Sequence, residues 1–112
     1  MIVFVAGEQI EIKEPSSATL KKYGLGVDEW RDIVVRQNYC CPICLRPLEK
    51  TTNIEHSHAK NWKKLPPDQR KSYVRGVTCW WCNKSFLSKG MTIEKAKNIV
   101  KYLEDYEKRM PK

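Results

Sequence analysis

Cys41-Pro-Ile-Cys44 and Cys79-Trp-Trp-Cys82, with Ile54-Glu55-His56-Ser57-His58 between them, decide how this chain folds. Two Cys-x-x-Cys turns supply four thiolates, the full ligand set of a closed tetrahedral zinc site. The two-residue spacing lets both sulfurs of one turn reach a single ion. Cys41, Cys44, Cys79 and Cys82 are therefore read as structural zinc ligands. A zinc filled by four sulfurs has no open position for a substrate. Its task is to clamp the strand before the histidines to the segment after them. Cys40 is the cysteine left over, and it is expected to be a partly buried free thiol.

The chain has 112 residues, enough for one domain with a modest core, so a metal staple is useful. Its five cysteines do not suggest a secreted disulfide scaffold. The number is odd, four fall in x2-spaced pairs, and no signal-peptide pattern is visible. A reducing, cytoplasmic compartment is the expectation. No apolar stretch approaches membrane-spanning length, so no membrane partner is expected. The net charge of +8 is uneven. Residues 1–40 carry five Lys/Arg against six Asp/Glu, and residues 41–112 carry sixteen against seven. A basic half joined to a neutral half points to a polyanion such as nucleic acid.

Along the chain, Ile2-Val-Phe-Val5 and Ile10-Glu-Ile12 flank Gly7 and predict a hairpin. Glu14-Pro-Ser-Ser17 breaks it and caps a short helix through Tyr23. Val27, Trp30, Ile33 and Val34 recur at helical spacing, so Val27 to Gln37 is read as an amphipathic helix that packs Trp30 against the zinc module. Thr51 to His58 reads as a strand with Ile54 facing inward, and Val74-Arg-Gly-Val77 as a second strand running into Cys79. Between them lies a polar, basic excursion from Ala59 to Tyr73. A helix is expected from Asn83, then a break at Ser88-Lys-Gly90, then a final helix capped by Thr92. Ile93, Ala96, Ile99, Val100, Leu103 and Tyr106 are expected to form its buried stripe, with Glu104–Lys108 and Asp105–Arg109 pairing on its wet face.

His56 and His58 are the protein's two histidines, and they stand beside Glu55 inside the loop that the zinc closes. Phosphodiester hydrolysis needs a base for water and a cation for the charge that builds on phosphate and leaving oxygen. An imidazole titrating near neutrality suits the base. The carboxylate of Glu55 and the amide oxygen of Asn83 suit a hard cation such as Mg²⁺. Two plainer readings stay open: the histidines are surface residues touching phosphate, or one of them enters the zinc shell in place of a cysteine. Lys60, Lys63, Lys64, Arg70, Lys71 and Arg75 lie on or beside the excursion, where phosphate contact would give salt-sensitive binding with little sequence readout. Trp62 either stacks on a base or packs under its own loop. Of the neighbours Trp80 and Trp81, one is expected on the zinc module and the other at the surface.

These motifs, with Val74-Arg-Gly-Val-Thr-Cys79 running into Asn83, Leu20-Lys-Lys-Tyr-Gly-Leu25 and Gln37, resemble the phage recombination endonuclease VII family of HNH, or His-Me finger, nucleases. The resemblance covers roughly Leu20 to Asn83. It implies a ββα-metal core, so that with the N-terminal hairpin and flanking helices read from the residues the expected fold is α+β, a small zinc-stapled domain. The expected layout is one domain over 1–112, with a hairpin extension at 1–19, the nuclease core at 20–88 and the last helix at 91–110. It implies a metal-dependent DNA endonuclease acting on branched or recombination-junction DNA. His56 would be the general base, Glu55 and Asn83 would hold catalytic Mg²⁺ or Mn²⁺, and His58 would stand near the scissile phosphate. Arg75 would contact the nucleic-acid backbone. Strand alternation places Glu55 and His56 on opposite faces, so a shared site requires the strand to end or bend between them. A junction cut on both sides needs two sites, hence a homodimer. The alternatives are a nicking or restriction-type HNH enzyme on duplex DNA, or a zinc-stabilised module that only binds DNA.

Overall fold

Ala6 and Gly7 both sit at positive φ, 51° and 81°, which turns the chain in the tight two-residue manner that matches strand twist. The expected hairpin follows: β1 (Ile2–Val5) pairs antiparallel with β2 (Glu8–Glu11), Val5 opposite Glu8. The computed structural model of the chain describes residues 1–49, 52–88 and 90–110. Thr51 of the predicted strand and Lys89 of the predicted break lie outside the described residues.

Ser16 caps α1 (Ser17–Lys22), its hydroxyl accepting from the Thr19 N–H at 3.2 Å. Gly24 then turns the chain at φ 69°, and a Cβ there would meet the Pro67 carbonyl oxygen at 2.1 Å. Only glycine lets the basic excursion dock its backbone here. In α2 (Val27–Arg36) the Glu29 carboxylate reaches back to the Gly26 N–H at 3.0 Å. Lys71 of the excursion pairs with that same carboxylate.

Asn38 and Tyr39, both at positive φ, reverse the chain into the first cysteine turn. That turn is closed by Leu48 N–H donating to the Tyr39 carbonyl at 2.9 Å and by bridge pairing of Cys40 with Pro47. β3 (Asn53–His56) pairs antiparallel with β4 (Val74–Thr78). Between them the excursion winds through single turns at Trp62–Lys64, α3 (Pro67–Arg70) and Lys71–Tyr73.

The next helix does not begin at Asn83. It begins earlier, as α4 (Trp80–Cys82), because Cys79 acts as the cap: its sulfur accepts from the Cys82 N–H at 3.4 Å. The chain then continues through a wide turn, Asn83–Leu87, closed by the Ser88 N–H on the Asn83 carbonyl at 2.9 Å. Thr92 caps α5 (Ile93–Arg109) as expected, accepting from the Lys95 N–H at 3.1 Å.

Ile10, Ile12, Leu20, Leu25, Trp30, Val34, Leu48, Ile54 and Val77 form one buried cluster with Cys41 and Cys82. Trp30 is fully buried in it, beside the cysteine module as its spacing implied. The stripe on α5 is different. No residue of α5 is buried, and Ile93, Val100 and Leu103 are more than half exposed. Periodicity correctly gives an amphipathic helix, yet among the described residues nothing covers its apolar side. Asp105 pairs with Lys101 at 2.6 Å, and Arg109 bonds the Asp105 backbone oxygen instead of its carboxylate. Trp80 and Trp81 are both about half exposed, so neither is buried on the cysteine module. No helix among the described residues is long and apolar enough to cross a membrane.

Candidate functional site

The two cysteine turns meet as their spacing requires. The sulfurs of Cys41, Cys44, Cys79 and Cys82 all lie within 4.8 Å of one another, and Cys44 Sγ is 3.9 Å from Cys79 Sγ. A tetrahedron of sulfurs around zinc has edges of about 3.8 Å, so these four thiols fit the ion closely. Cys40 stands outside the group, half-buried. Burial works to raise the Cys41 thiol, but the backbone N–H groups of Cys44, Cys79 and Ile43 outweigh it and bring Cys41 down to about 7. Burial pushes the Cys82 thiol well up. The backbone N–H groups of the turns thus favour thiolate at Cys41, while burial disfavours it at Cys82.

The strand that leaves the first turn breaks register where the site needs it. Ile54 lies opposite Val77 and Glu55 opposite Gly76, but His56 lies opposite Val74, a shift between Glu55 and His56. Bulges of this kind re-aim side chains, and here Glu55 is buried while the next residue, His56, is only half-buried. The Glu55 carboxylate accepts from Arg75 Nε at 2.8 and 3.1 Å, and Arg75 Nη2 closes the second arm of the fork.

Beside the pair, the Gln37 side-chain amide bonds Val77 in both directions. Its oxygen accepts from the Val77 N–H at 2.9 Å, and its nitrogen donates to the Val77 carbonyl at 2.7 Å and the Cys40 carbonyl at 3.2 Å. A Cβ at Gly76 would meet that oxygen at 2.7 Å. The Arg-Gly step is thus explained on both residues: arginine neutralises the buried carboxylate, and glycine makes room for the amide.

On the open side, His56 and His58 lie 5.2 Å apart between ring centres. Both line a cavity of about 500 Å³ with Lys60, Trp62, Lys63 and Lys64. Trp62 meets His56 edge to face at 3.8 Å, and also meets Tyr23 and Tyr73. The Arg70 guanidinium lies 5.3 Å over the indole and bonds the Lys22 and Lys63 carbonyls. Trp62 therefore packs under its own loop, as one of its two readings held. Sequence reasoning did not foresee its contact with His56; edge contacts across a loop leave no periodic signal. Burial, followed by the charge of His58, lowers the His56 pKa below the usual imidazole value; Glu55 opposes this, while Arg75 and Lys22 add to it.

The predicted basic residues divide in two. Lys60, Lys63 and Lys64 are exposed around the cavity. Arg70, Lys71 and Arg75 each hold a partner within the protein, at Trp62, Glu29 and Glu55 respectively. Asn83 is half-buried and opens the wide turn directly after the last cysteine. A carboxylate and an amide oxygen are of the chemical type a hard cation accepts, but neither Glu55 nor Asn83 is among the residues that line the cavity at His56. Among the described residues the four thiols are the cluster of metal-ligating side chains that stands together, and Glu55 is engaged by Arg75.

The recombination endonuclease VII family model matches residues 16–105, from the cap of α1 into α5. No curated protein and no solved structure matches the chain. The chain belongs to the recombination endonuclease VII family.

Proposed function

We propose that this member of the recombination endonuclease VII family hydrolyses phosphodiester bonds in DNA, with branched or junction DNA as its substrate. In this reading β3, β4 and the turns from α4 onward form a ββα-metal core of the HNH type. The observation that carries it is the shift between Glu55 and His56, after which a half-buried imidazole borders a lysine-lined cavity.

Water attacks phosphorus as His56 takes its proton, and the bond to the leaving oxygen breaks. The lowered pKa keeps His56 neutral and able to accept that proton at neutral pH. Lys60, Lys63 and Lys64 hold phosphates of the same strand at the rim. His58, exposed beside His56, stands by the charged phosphate. A divalent ion, Mg²⁺ or Mn²⁺, held by Glu55 and Asn83 would supply positive charge as the leaving oxygen gains charge. Zinc on the four cysteines remains structural, and a reducing compartment such as the cytoplasm belongs to the same proposal because those thiols must stay reduced. A second copy, docked through the uncovered side of α5, would supply the second cut that a junction requires.

The test is cleavage of synthetic junctions, linear duplex and plasmid by zinc-loaded protein with Mg²⁺. Wild type is expected to cut junctions, and His56→Ala to lose at least about a hundredfold, as removal of a general base does. Equal cutting by both proteins would defeat His56 as the base, and binding without any cutting would leave only a DNA-binding module. Duplex cut as readily as junctions would favour the nicking enzyme.

A further inference from the structure

Both oxygens of the Glu55 carboxylate already have a cation. Arg75 grips them with two arms of its guanidinium, across the strand pair and next to Gly76. The carboxylate side chain is 5% exposed and the Arg75 side chain 45% exposed. The acid is therefore fixed in place, while the arginine reaches it from the solvent side and has somewhere to go. Two cations cannot share one buried carboxylate without strong repulsion. A divalent ion at Glu55 meets a guanidinium in its place.

We propose that Arg75 and a divalent cation are alternative partners of Glu55, so that loading the metal displaces the guanidinium from the carboxylate. This rests on the reading of Glu55 as a ligand of the catalytic ion. Without metal, Arg75 satisfies a carboxylate that would otherwise be buried and unpaired, and so keeps the β3–β4 pair intact. With metal, the guanidinium swings outward at a half-exposed position, available to the phosphates that the site attracts. Arg75 is then a positioning residue that sets the metal affinity, and the site loads fully only where a polyanion receives the displaced charge.

The experiment measures Mn²⁺ binding to zinc-loaded full-length protein by the loss of free-ion paramagnetic resonance signal. Wild type is compared with Arg75→Gln, Arg75→Lys, Glu55→Gln and Lys63→Gln. Because hydrogen bonds to charged groups are the stronger kind, Arg75→Gln is expected to tighten Mn²⁺ about tenfold. Lys63→Gln, which removes the same charge without touching Glu55, should tighten it far less. Arg75→Lys keeps the charge but loses the fork, and should fall between wild type and Arg75→Gln. In wild type, Mg²⁺ titration should shift the Arg75 Nε–H resonance with the midpoint of metal binding; this decides the matter even if Arg75→Gln does not fold.

An unmoved Arg75 resonance under saturating Mg²⁺, or equal effects of Arg75→Gln and Lys63→Gln, with Glu55→Gln still abolishing binding, would overturn the exchange and leave the metal reading intact. Unchanged Mn²⁺ binding in Glu55→Gln would remove the metal reading itself, and the exchange with it.

Discussion

The carboxamide of Gln37 takes the place of a peptide group beside β4, donating to and accepting from Val77 as a neighbouring strand would. Gln37→Ala leaves both Val77 groups without those bonds and should destabilise the protein by about 2–4 kcal/mol in chemical denaturation. Gly76→Ala should cost a similar amount, because its methyl pushes the amide oxygen off Val77. The two should fall well short of additive, since each removes the same bonds. His56 contributes to the pH dependence. Its folded pKa lies below the usual value near 6.5, so the unfolded chain binds the proton first as pH falls. Its share of stability is complete above about 6.5 and is lost as pH falls through that value towards the folded one. NMR titration should place His56 below His58→Ala's own His56, because removing the neighbouring charge lifts it. At this scale the sequence made the cysteine cluster legible by type and spacing. It did not reveal that Arg75 turns onto Glu55, because a charge in a basic stretch carries no mark of which way its side chain points.

Elements were legible wherever a local signal sets their ends. Ser16 and Thr92 cap α1 and α5, and Gly7 turns the hairpin, as their residue types imply, whereas Ala6 at φ 51° carries no such signal. The start of α4 escaped because a cysteine read as a zinc ligand also serves as a helix cap. The excursion's short turns escaped because three- and four-residue pieces show no period; they are held by Gly24, Glu29 and the Lys22 carbonyl, all distant in sequence. The cysteine turns join α2, β4 and α4, so metal removal should act on all three. Structural zinc is typically worth about 10 kcal/mol or more of folding free energy. Strong chelation should therefore abolish the cooperative melt. Cys79→Ser and Cys82→Ser should lose stoichiometric zinc, and Cys40→Ser should keep it, by metal analysis. Zinc uptake should release protons, the raised Cys82 thiol among their sources, and so weaken as pH falls.

As a whole, the protein is a slab, 52 × 42 × 18 Å, with a radius of gyration of 16.5 Å. A compact chain of this length would have a radius near 13 Å. Its accessible surface is 8601 Å², against about 6,400 Å² for a compact monomer of this mass. The last helix, α5, about 25 Å long at 1.5 Å per residue, leaves its apolar side open. Amphipathicity was readable in the sequence, but that its apolar side stays uncovered was not, since the pattern names a face and not its neighbour. For the proposed dimer through α5, Leu103→Glu should leave zinc content and helicity intact while shifting light-scattering mass from two chains to one. An association built on that helix also ties melting to dilution. Each tenfold drop in protein concentration should lower the transition temperature of the native chain and leave that of Leu103→Glu where it was.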